Sequence, residues 1–181
     1  MKQLRFCILF ALMLCLLLGC SKQPSTLEVG EPVFADFSAL DIDGNAVNQT
    51  IFHDHKLTMV NIWATFCSPC IREMPDLAEL NDDYGKDFQV VGIVIDVTDA
   101  NGNVVTYKKA SALDIIDTTN ADYLHLLPSP SLNKAYLSKV QAVPETIFVD
   151  QEGNQIGEIY VGSKTKAEWK KIIDSLLDQT Q

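Results

Sequence analysis

The stretch "NIWATFCSPC" contains two cysteines, Cys67 and Cys70, with two residues between them. Such a pair can supply half of a zinc site, a structural disulfide or a redox-active dithiol. A structural zinc site needs four ligands, and the sequence has no second pair of this kind. His53 and His55 could complete a site, but their place near a turn favours ordinary loop residues, and His125 stands alone. The sequence therefore predicts no metal site.

The dithiol interpretation depends on a helix that begins at the pair. There Cys67 would face the backbone N–H groups and the positive end of the helix dipole, which stabilise a thiolate and lower its pKa. Cys70 would lie one turn inside the helix, where it could displace Cys67 from a mixed disulfide. Pro69 fits the first turn, because its missing N–H would have no partner there. The pattern predicts a nucleophilic Cys67 and a resolving Cys70.

The N-terminus is typical of an export signal. Lys2 and Arg5 precede an uninterrupted apolar run from Phe6 to Leu18, which is short for a membrane span. The run ends in Leu-Leu-Gly-Cys, which resembles the lipobox of bacterial lipoproteins. That resemblance implies cleavage before Cys20 and lipidation of Cys20, which would anchor an extracytoplasmic protein to the cell membrane. We expect a signal peptide at 1–19, the lipidated cysteine and a tether at 20–30, and a domain at 31–181.

The cysteine positions and the charge restrict the function further. Cys7 and Cys15 would leave with the signal and Cys20 would carry lipid, so Cys67 and Cys70 would remain as the only thiols. A secreted domain held together by disulfides would have more pairs at wider spacings. The formal net charge is −10, and Lys and Arg form no clustered run. The sequence therefore predicts no binding to nucleic acid.

Alternating strand and helix patterns predict an α/β domain with a mixed central sheet flanked by helices. Runs rich in Val and Ile indicate strands buried on both faces, and clusters of Asp, Gly and Asn between strands indicate plain turns, because none has the ligand spacing of a calcium loop. The predicted strands are Phe34–Leu40, Ala46–Val47, Leu57–Trp63, Gln89–Asp96, Thr146–Val149 and Gln155–Val161. The predicted helices are Cys70–Tyr84 with an interruption at Pro75, Asn103–Asp117, Ser131–Leu137 and a C-terminal helix capped by Thr165 and Glu168.

Several motifs together resemble one protein family. "WATFCSPC" follows a strand, Pro75 lies five residues beyond Cys70, and "VPETIFVD" begins a later strand. With the lipobox and the N-terminal hairpin, these motifs resemble the TlpA/ResA-like thiol–disulfide oxidoreductases over roughly residues 31–181. The resemblance implies a thioredoxin-like fold with an added N-terminal β-hairpin.

The resemblance also implies a substrate-binding surface. In the family, the proline of the Val-Pro-x-Thr motif has a cis peptide bond and lies against the dithiol, and the neighbouring backbone pairs with the substrate chain. Carried over, these residues are Pro144 and Val143. Trp63 and Pro69, within the dithiol motif, are assigned to the same surface.

Two polar residues concern proton transfer. Many thioredoxins have a buried Asp six residues before the first active-site cysteine, and here that residue is Asn61, which cannot take up a proton. We expect Asn61 to be a hydrogen-bonded core residue. ResA-like proteins resemble this chain in having Asn there and a Glu three residues past the second cysteine, which here is Glu73. If Glu73 is partly buried, its pKa rises and it could exchange protons with Cys70. An ordinary solvated carboxylate is the alternative.

The leading functional hypothesis is a membrane-anchored disulfide reductase that needs no bound cofactor. Its expected partners are a membrane thiol-electron transporter as donor and an exported protein disulfide, such as that of apocytochrome c, as substrate; we expect a monomer. Phe66 in place of the usual Trp, Ser68 in place of Gly, and the unmatched stretch Asp114–Ser131 differ from the family pattern. One alternative is a Sco-like copper-handling protein, in which His125 would have to reach the dithiol. Another is a non-catalytic binding lipoprotein on the same fold.

Overall fold

The computed structural model describes residues 30–180. The predicted signal peptide, the lipidation of Cys20 and most of the tether therefore lie outside the described residues. Within that range the chain forms a thioredoxin-like fold in which a mixed sheet is flanked by helices, as the sequence predicts. No helix between residues 30 and 180 is both long enough and apolar enough to cross a bilayer.

The structure contains the following elements. The strands are β1 Ser38–Leu40, β2 Ala46–Asn48, β3 Leu57–Trp63, β4 Phe88–Val94, β5 Leu124–Leu126, β6 Glu145–Val149 and β7 Gln155–Val161. The helices are α1 Ser68–Tyr84, α2 Thr106–Thr119, α3 Pro130–Ala135 and α4 Lys166–Leu177. Short 3-10 turns lie at Gln49–Phe52, Gly85–Asp87 and Leu137–Lys139.

The main sheet has the order β5-β4-β3-β6-β7. Strands β3, β4 and β5 are parallel, β6 is antiparallel to β3, and β7 is antiparallel to β6. Every residue of the central strand β3 is buried, which explains its continuous apolar sequence. The ends of β3, β4 and β5 and the start of β6 therefore meet at one edge of the sheet, which we call the dithiol edge because Cys67 follows β3.

The predicted N-terminal hairpin is confirmed, but it is shorter than expected. β1 and β2 pair antiparallel, and the pairing begins only at Ser38. The residues before it bend so that Phe34 and Phe37 become buried against Phe52. Residues 34–37 were predicted as the start of a strand. In the structure they do not pair, because their aromatic side chains are buried against the main sheet.

Strand β5 was not predicted. It lies in the stretch 114–131, for which the sequence offered no counterpart, and it carries the buried His125. Gly92 pairs with His125 in the neighbouring strand, and a Cβ at Gly92 would collide with the imidazole ring and approach the Trp63 indole closely. A polar side chain in a three-residue strand gives no apolar pattern, so the strand depends on this tertiary fit.

The three turns rich in Asp, Gly and Asn are plain turns, as predicted. Each begins with an aspartate whose carboxylate accepts backbone N–H groups two and four residues later and the side-chain amide of an asparagine. The aspartates are Asp41, Asp99 and Asp150. One of these turns includes Asn103, which explains why α2 begins at Thr106 rather than at residue 103.

The helical predictions are confirmed at the C-terminus and need one correction in α1. Thr165 and Glu168 form the capping box of α4, and Trp169 and Ile173 are buried. Helix α1, in contrast, continues through Pro75 for seventeen residues, where the sequence predicted an interruption. Pro75 is retained inside a helix whose apolar face packs into the core on both sides of it, at Met74 and Leu77.

Candidate active site

Cys67 and Cys70 lie where β3 leads into α1 and are joined by a disulfide with their Cα atoms 5.3 Å apart. Cys67 is the N-cap residue of α1, and its Sγ accepts the Cys70 backbone N–H at 3.2 Å. The helix thus begins at the pair, as expected. Cys67 keeps 5% of its surface exposed and Cys70 is fully buried. A reacting partner can therefore reach Cys67 before Cys70.

Asp96, two residues beyond the end of the neighbouring strand β4, fixes the backbone just before Cys67. Its carboxylate accepts the backbone N–H of Thr65 at 2.9 Å and the Thr65 hydroxyl at 2.6 Å. The Cys67 N–H donates to the Ala64 carbonyl at 3.0 Å. Sequence reasoning missed the role of Asp96, which was predicted as the last residue of the strand Gln89–Asp96; the strand ends at Val94. An aspartate close to the carboxyl end of a strand that parallels β3 is a recognisable signal for this edge.

Three of the four predicted substrate-contacting residues lie at the dithiol edge. The Val143–Pro144 peptide bond is cis, and because Ile62 pairs with Glu145, Pro144 lies level with the end of β3. Pro69 lies in the first turn of α1. The structure thus brings Val143, Pro144 and Pro69 to the same end of the sheet as Cys67.

Trp63 needs a correction. It was predicted to contact the substrate, but its side chain is fully buried and its indole Nε1 donates to His125 Nδ1 at 3.2 Å. A side chain that points into the core cannot contact a docked chain, so Trp63 supports the end of β3 from within. The exposed aromatic residue is Phe66, directly before Cys67, with 73% of its surface accessible.

His125 is not positioned to serve the dithiol. Its Nδ1 accepts from Trp63, and its Nε2 lies 2.9 Å from the Ala121 carbonyl, so both ring nitrogens are occupied. Burial lowers the pKa of His125 to about 4, and the bond to Ala121 offsets this only in part. A buried neutral imidazole bound on both sides does not provide the ligand that the Sco-like alternative requires.

Glu73 lies one turn beyond Cys70 on α1 and is almost fully buried. Its Oε1 accepts Asn61 Nδ2 at 3.1 Å. Its Oε2 accepts the backbone N–H of Lys164 at 3.2 Å and the Trp169 indole N–H at 3.4 Å. Desolvation raises the pKa of Glu73, and the hydrogen bonds from Asn61, Lys164 and Trp169 only partly oppose this effect. The hydrogen-bonded core position of Asn61 agrees with the expectation from the sequence. For Glu73 the sequence left a partly buried and a solvated carboxylate open, and the structure has the buried one.

An open recess of about 270 Å³ leads from the surface beside Pro69 to Glu73. Arg72 and Lys164 lie along its wall together with Glu168. Glu73 also lines the recess, whose lining includes neither cysteine of the disulfide.

The raised pKa of Glu73 predicts how stability changes with pH in the oxidised protein. The folded state holds the Glu73 proton above pH about 4.3, the usual pKa of an unfolded glutamate. This contribution to stability is therefore complete below that pH and is lost as the pH rises through the folded pKa. Urea unfolding of the wild type and of Glu73→Gln, from pH 4 to 8, measures it. The wild type should lose stability relative to the variant as the pH rises; a constant difference would contradict the assignment.

A second buried carboxyl, Glu145, was missed by sequence reasoning. It follows Pro144 directly and lies on the sheet face opposite Glu73, where the Tyr136 hydroxyl donates to its Oε1 at 2.7 Å. Burial and the carboxylate together raise the pKa of Tyr136. The acidic residue in "VPETIFVD" was the available signal, and its side chain ties α3 to the Pro144 region.

Comparisons with known proteins agree with this geometry. The sequence model of the redoxin family matches residues 28–176. The chain is 30% identical over 154 residues to the thioredoxin-like protein YneN of Bacillus subtilis, covering 85% of this chain and 84% of that one. It is 27% identical over 144 residues to the thiol-disulfide oxidoreductase ResA of Geobacillus thermodenitrificans, covering 78% and 74%. A thiol:disulfide interchange protein of Chlorobium tepidum has a similar fold, with a TM-score of 0.64, 23% identity and coverage of 78% and 93%.

Proposed function

Since this chain belongs to the redoxin family and is a TlpA/ResA-like thiol–disulfide oxidoreductase, we propose that it reduces disulfides of exported proteins at the outer face of the cell membrane. The observation that carries the proposal is the position of Cys67, accessible at the start of a helix, with Cys70 buried directly behind it. The substrate class includes apocytochrome c and other exported proteins with oxidised cysteines.

The reaction runs in two exchanges. The Cys67 thiolate attacks one sulfur of the substrate disulfide, so that a mixed disulfide forms and the other substrate sulfur leaves as a thiolate. Cys70 then loses its proton to Glu73 and attacks Cys67, which forms the Cys67–Cys70 disulfide and releases the second substrate thiolate. Glu73 is the proton acceptor because it lies one turn from Cys70 on α1 and burial raises its pKa, which makes its carboxylate a stronger base. Val143, Pro144 and Pro69 form the surface that holds the substrate chain.

The direction of electron flow is argued from the surroundings of Cys67. A strongly oxidising dithiol owes its potential to a heavily stabilised thiolate. Within residues 30–180, the one hydrogen bond to Cys67 Sγ comes from the Cys70 backbone N–H. A Cys67 thiolate that kept only this donor would be modestly stabilised, which supports a reductase that a membrane thiol-electron transporter would return to the dithiol form.

The test is catalysis of insulin reduction by a limiting amount of dithiothreitol. The proposal predicts faster appearance of free insulin chains with the protein than with dithiothreitol alone. No acceleration would contradict it. A non-catalytic binding lipoprotein on the same fold would give that second result.

Membrane anchoring through Cys20 has its own test. Expression of Cys20→Ser should move the protein from the membrane fraction to the soluble extracytoplasmic fraction, because the attachment site for lipid is gone. Cys15→Ser is the matched control, since that cysteine lies in the apolar run of the signal and should leave the distribution unchanged. A Cys20→Ser protein that stays in the membrane fraction would contradict the anchor.

A further inference from the structure

Asn61 has an asymmetric set of partners in the buried layer beneath α1. It is fully buried in the middle of β3. Its Nδ2 donates to Glu73 Oε1 and to Thr146 Oγ1, each at 3.1 Å. Its Oδ1 is buried too, and no residue in the described range 30–180 donates a hydrogen bond to it. The amide nitrogen thus has two acceptors, and the amide oxygen has no donor.

This arrangement suits only one protonation state of Glu73. All three groups that bond to its carboxyl are N–H donors, which fit an acceptor-only carboxylate. If a proton arrived at Oε1, its O–H would face the N–H of Asn61. The hydrogen bond between Asn61 and Glu73 would then be lost, and two buried donors would remain without an acceptor.

We propose that the side-chain amide of Asn61 turns over when Glu73 takes up a proton, so that Oδ1 replaces Nδ2 opposite Glu73 and Thr146. The two amide orientations have nearly the same shape, so the turn needs no displacement of β3. In the turned position Oδ1 accepts the new O–H of Glu73. Thr146 can keep its hydrogen bond to Asn61, because its hydroxyl accepts from Nδ2 in the first orientation and can donate to Oδ1 in the turned one.

The Tyr123 hydroxyl is buried near the same layer, and none of residues 30–180, Asn61 included, hydrogen-bonds to it. It lies next to His125, which is level with Gly92 and Asn61 across the sheet, and the Tyr123 and His125 rings are 4.5 Å apart. Desolvation and the charge of Glu73 both raise the pKa of Tyr123, as expected for two groups in the same buried layer.

The inference rests on the proposed role of Glu73 and makes Asn61 a positioning residue. In the resolving step the Cys70 S–H bond breaks and the Glu73 O–H bond forms. The amide turn keeps Glu73 hydrogen-bonded before and after the transfer. An aspartate at residue 61 would instead place a second buried carboxyl beside Glu73, and the two would share one proton.

Several other ionisable groups face Glu73. They are Arg72 and Asp76 on α1, Lys164 before α4, Glu168 on α4, Tyr123 beside β5, and the thiols of the dithiol when it is reduced.

The test is a pH titration of the isotope-labelled full chain in detergent micelles by NMR. The protein is kept oxidised, so that neither cysteine titrates. The carboxyl carbon of Glu73 reports its proton, and the side-chain NH₂ signals of Asn61 and their contacts to the Thr146 methyl group report the amide. We expect the Asn61 signals to shift with the midpoint of Glu73, and the amide-proton contacts to Thr146 to be lost on the acid side. Unchanged Asn61 contacts while Glu73 titrates, or no titration of Glu73, would overturn the inference.

Variants separate this movement from a structural role. Glu73→Gln should abolish the pH dependence of the Asn61 signals and leave those of Asn154, which bonds to Asp150 in a turn between β6 and β7, as in the wild type. Thr146→Ser keeps the hydroxyl and should leave the Glu73 midpoint unchanged, whereas Thr146→Val should displace it. A midpoint that is the same in Thr146→Val would overturn the inference. Failure of the proposed function would appear separately, as absent insulin reduction with this titration intact.

Discussion

Replacement of Cys67 by serine should lower the rate of insulin reduction by roughly a thousandfold or more, because it removes the nucleophile of the first exchange. A serine hydroxyl is not ionised near neutral pH and does not attack a disulfide. Cys67 is also the accessible member of the pair, so buried Cys70 cannot take over its role. The measurement is the initial rate of insulin reduction under limiting dithiothreitol.

Cys70→Ser is the matched control and should behave differently. Cys67 would still attack, but no second thiol would resolve the product, so the variant should accumulate a mixed disulfide with its substrate. Non-reducing electrophoresis and mass spectrometry would detect this adduct. If Cys70→Ser formed no adduct, or if Cys67→Ser kept most of its activity, the division of roles between the two cysteines would be wrong.

Glu73→Gln should slow the resolving step by about a hundredfold near neutral pH, as expected for loss of a positioned general base. The glutamine side chain has nearly the same shape, and its oxygen can still accept the N–H groups of Lys164 and Trp169, so the fold should persist. In the wild type the resolving rate should rise as the pH increases through the raised pKa of Glu73, because only the carboxylate accepts the Cys70 proton. The variant should lack this rise. The measurement is release of substrate thiol from a preformed mixed disulfide, followed against pH by rapid mixing.

Glu79→Gln provides the control for Glu73. Glu79 lies on the same helix, but its side chain is 64% exposed and its carboxylate pairs with Lys166 at the surface. Its substitution should leave the rate and the pH profile unchanged. Equal loss in both variants would indicate a general effect of charge on α1 and would remove Glu73 from the proton pathway.

The central elements of the fold were predictable because their signals are local. The continuous apolar run of β3 and the capping box at Thr165 appear within a few residues of sequence. The start of α1 at the dithiol was equally predictable, since Pro69 and the cysteine spacing together favour a helix N-terminus. In each case burial and hydrogen bonding act on neighbouring residues.

The features that were missed depend on contacts between distant residues. β5 is stable because Gly92 leaves room for His125 and the Trp63 indole, and no periodic pattern in three residues encodes that fit. The hydrogen bond to His125 also holds the Trp63 side chain in the core, so Trp63 does not make the predicted substrate contact. The fixing of Thr65 by Asp96 likewise joins residues about thirty positions apart.

Glu73 was predictable from the sequence only in part. Its position three residues past Cys70 was visible in the sequence, but its burial was not, because a solvated helix carboxylate has the same local pattern. Burial comes from the backbone of Lys164 and the indole of Trp169, more than ninety residues away. Tertiary packing of α4 against α1 therefore decides whether this glutamate can exchange a proton with Cys70.

The most direct test of the account is the reduction potential of the Cys67–Cys70 couple, measured by equilibration against glutathione and dithiothreitol buffers. Modest stabilisation of the Cys67 thiolate predicts a value at or below about −250 mV, in the range of thioredoxin, as a disulfide reductase fed by a membrane donor requires. A value near about −120 mV would mean a strongly stabilised thiolate and an oxidant, and would contradict the proposed direction of electron flow.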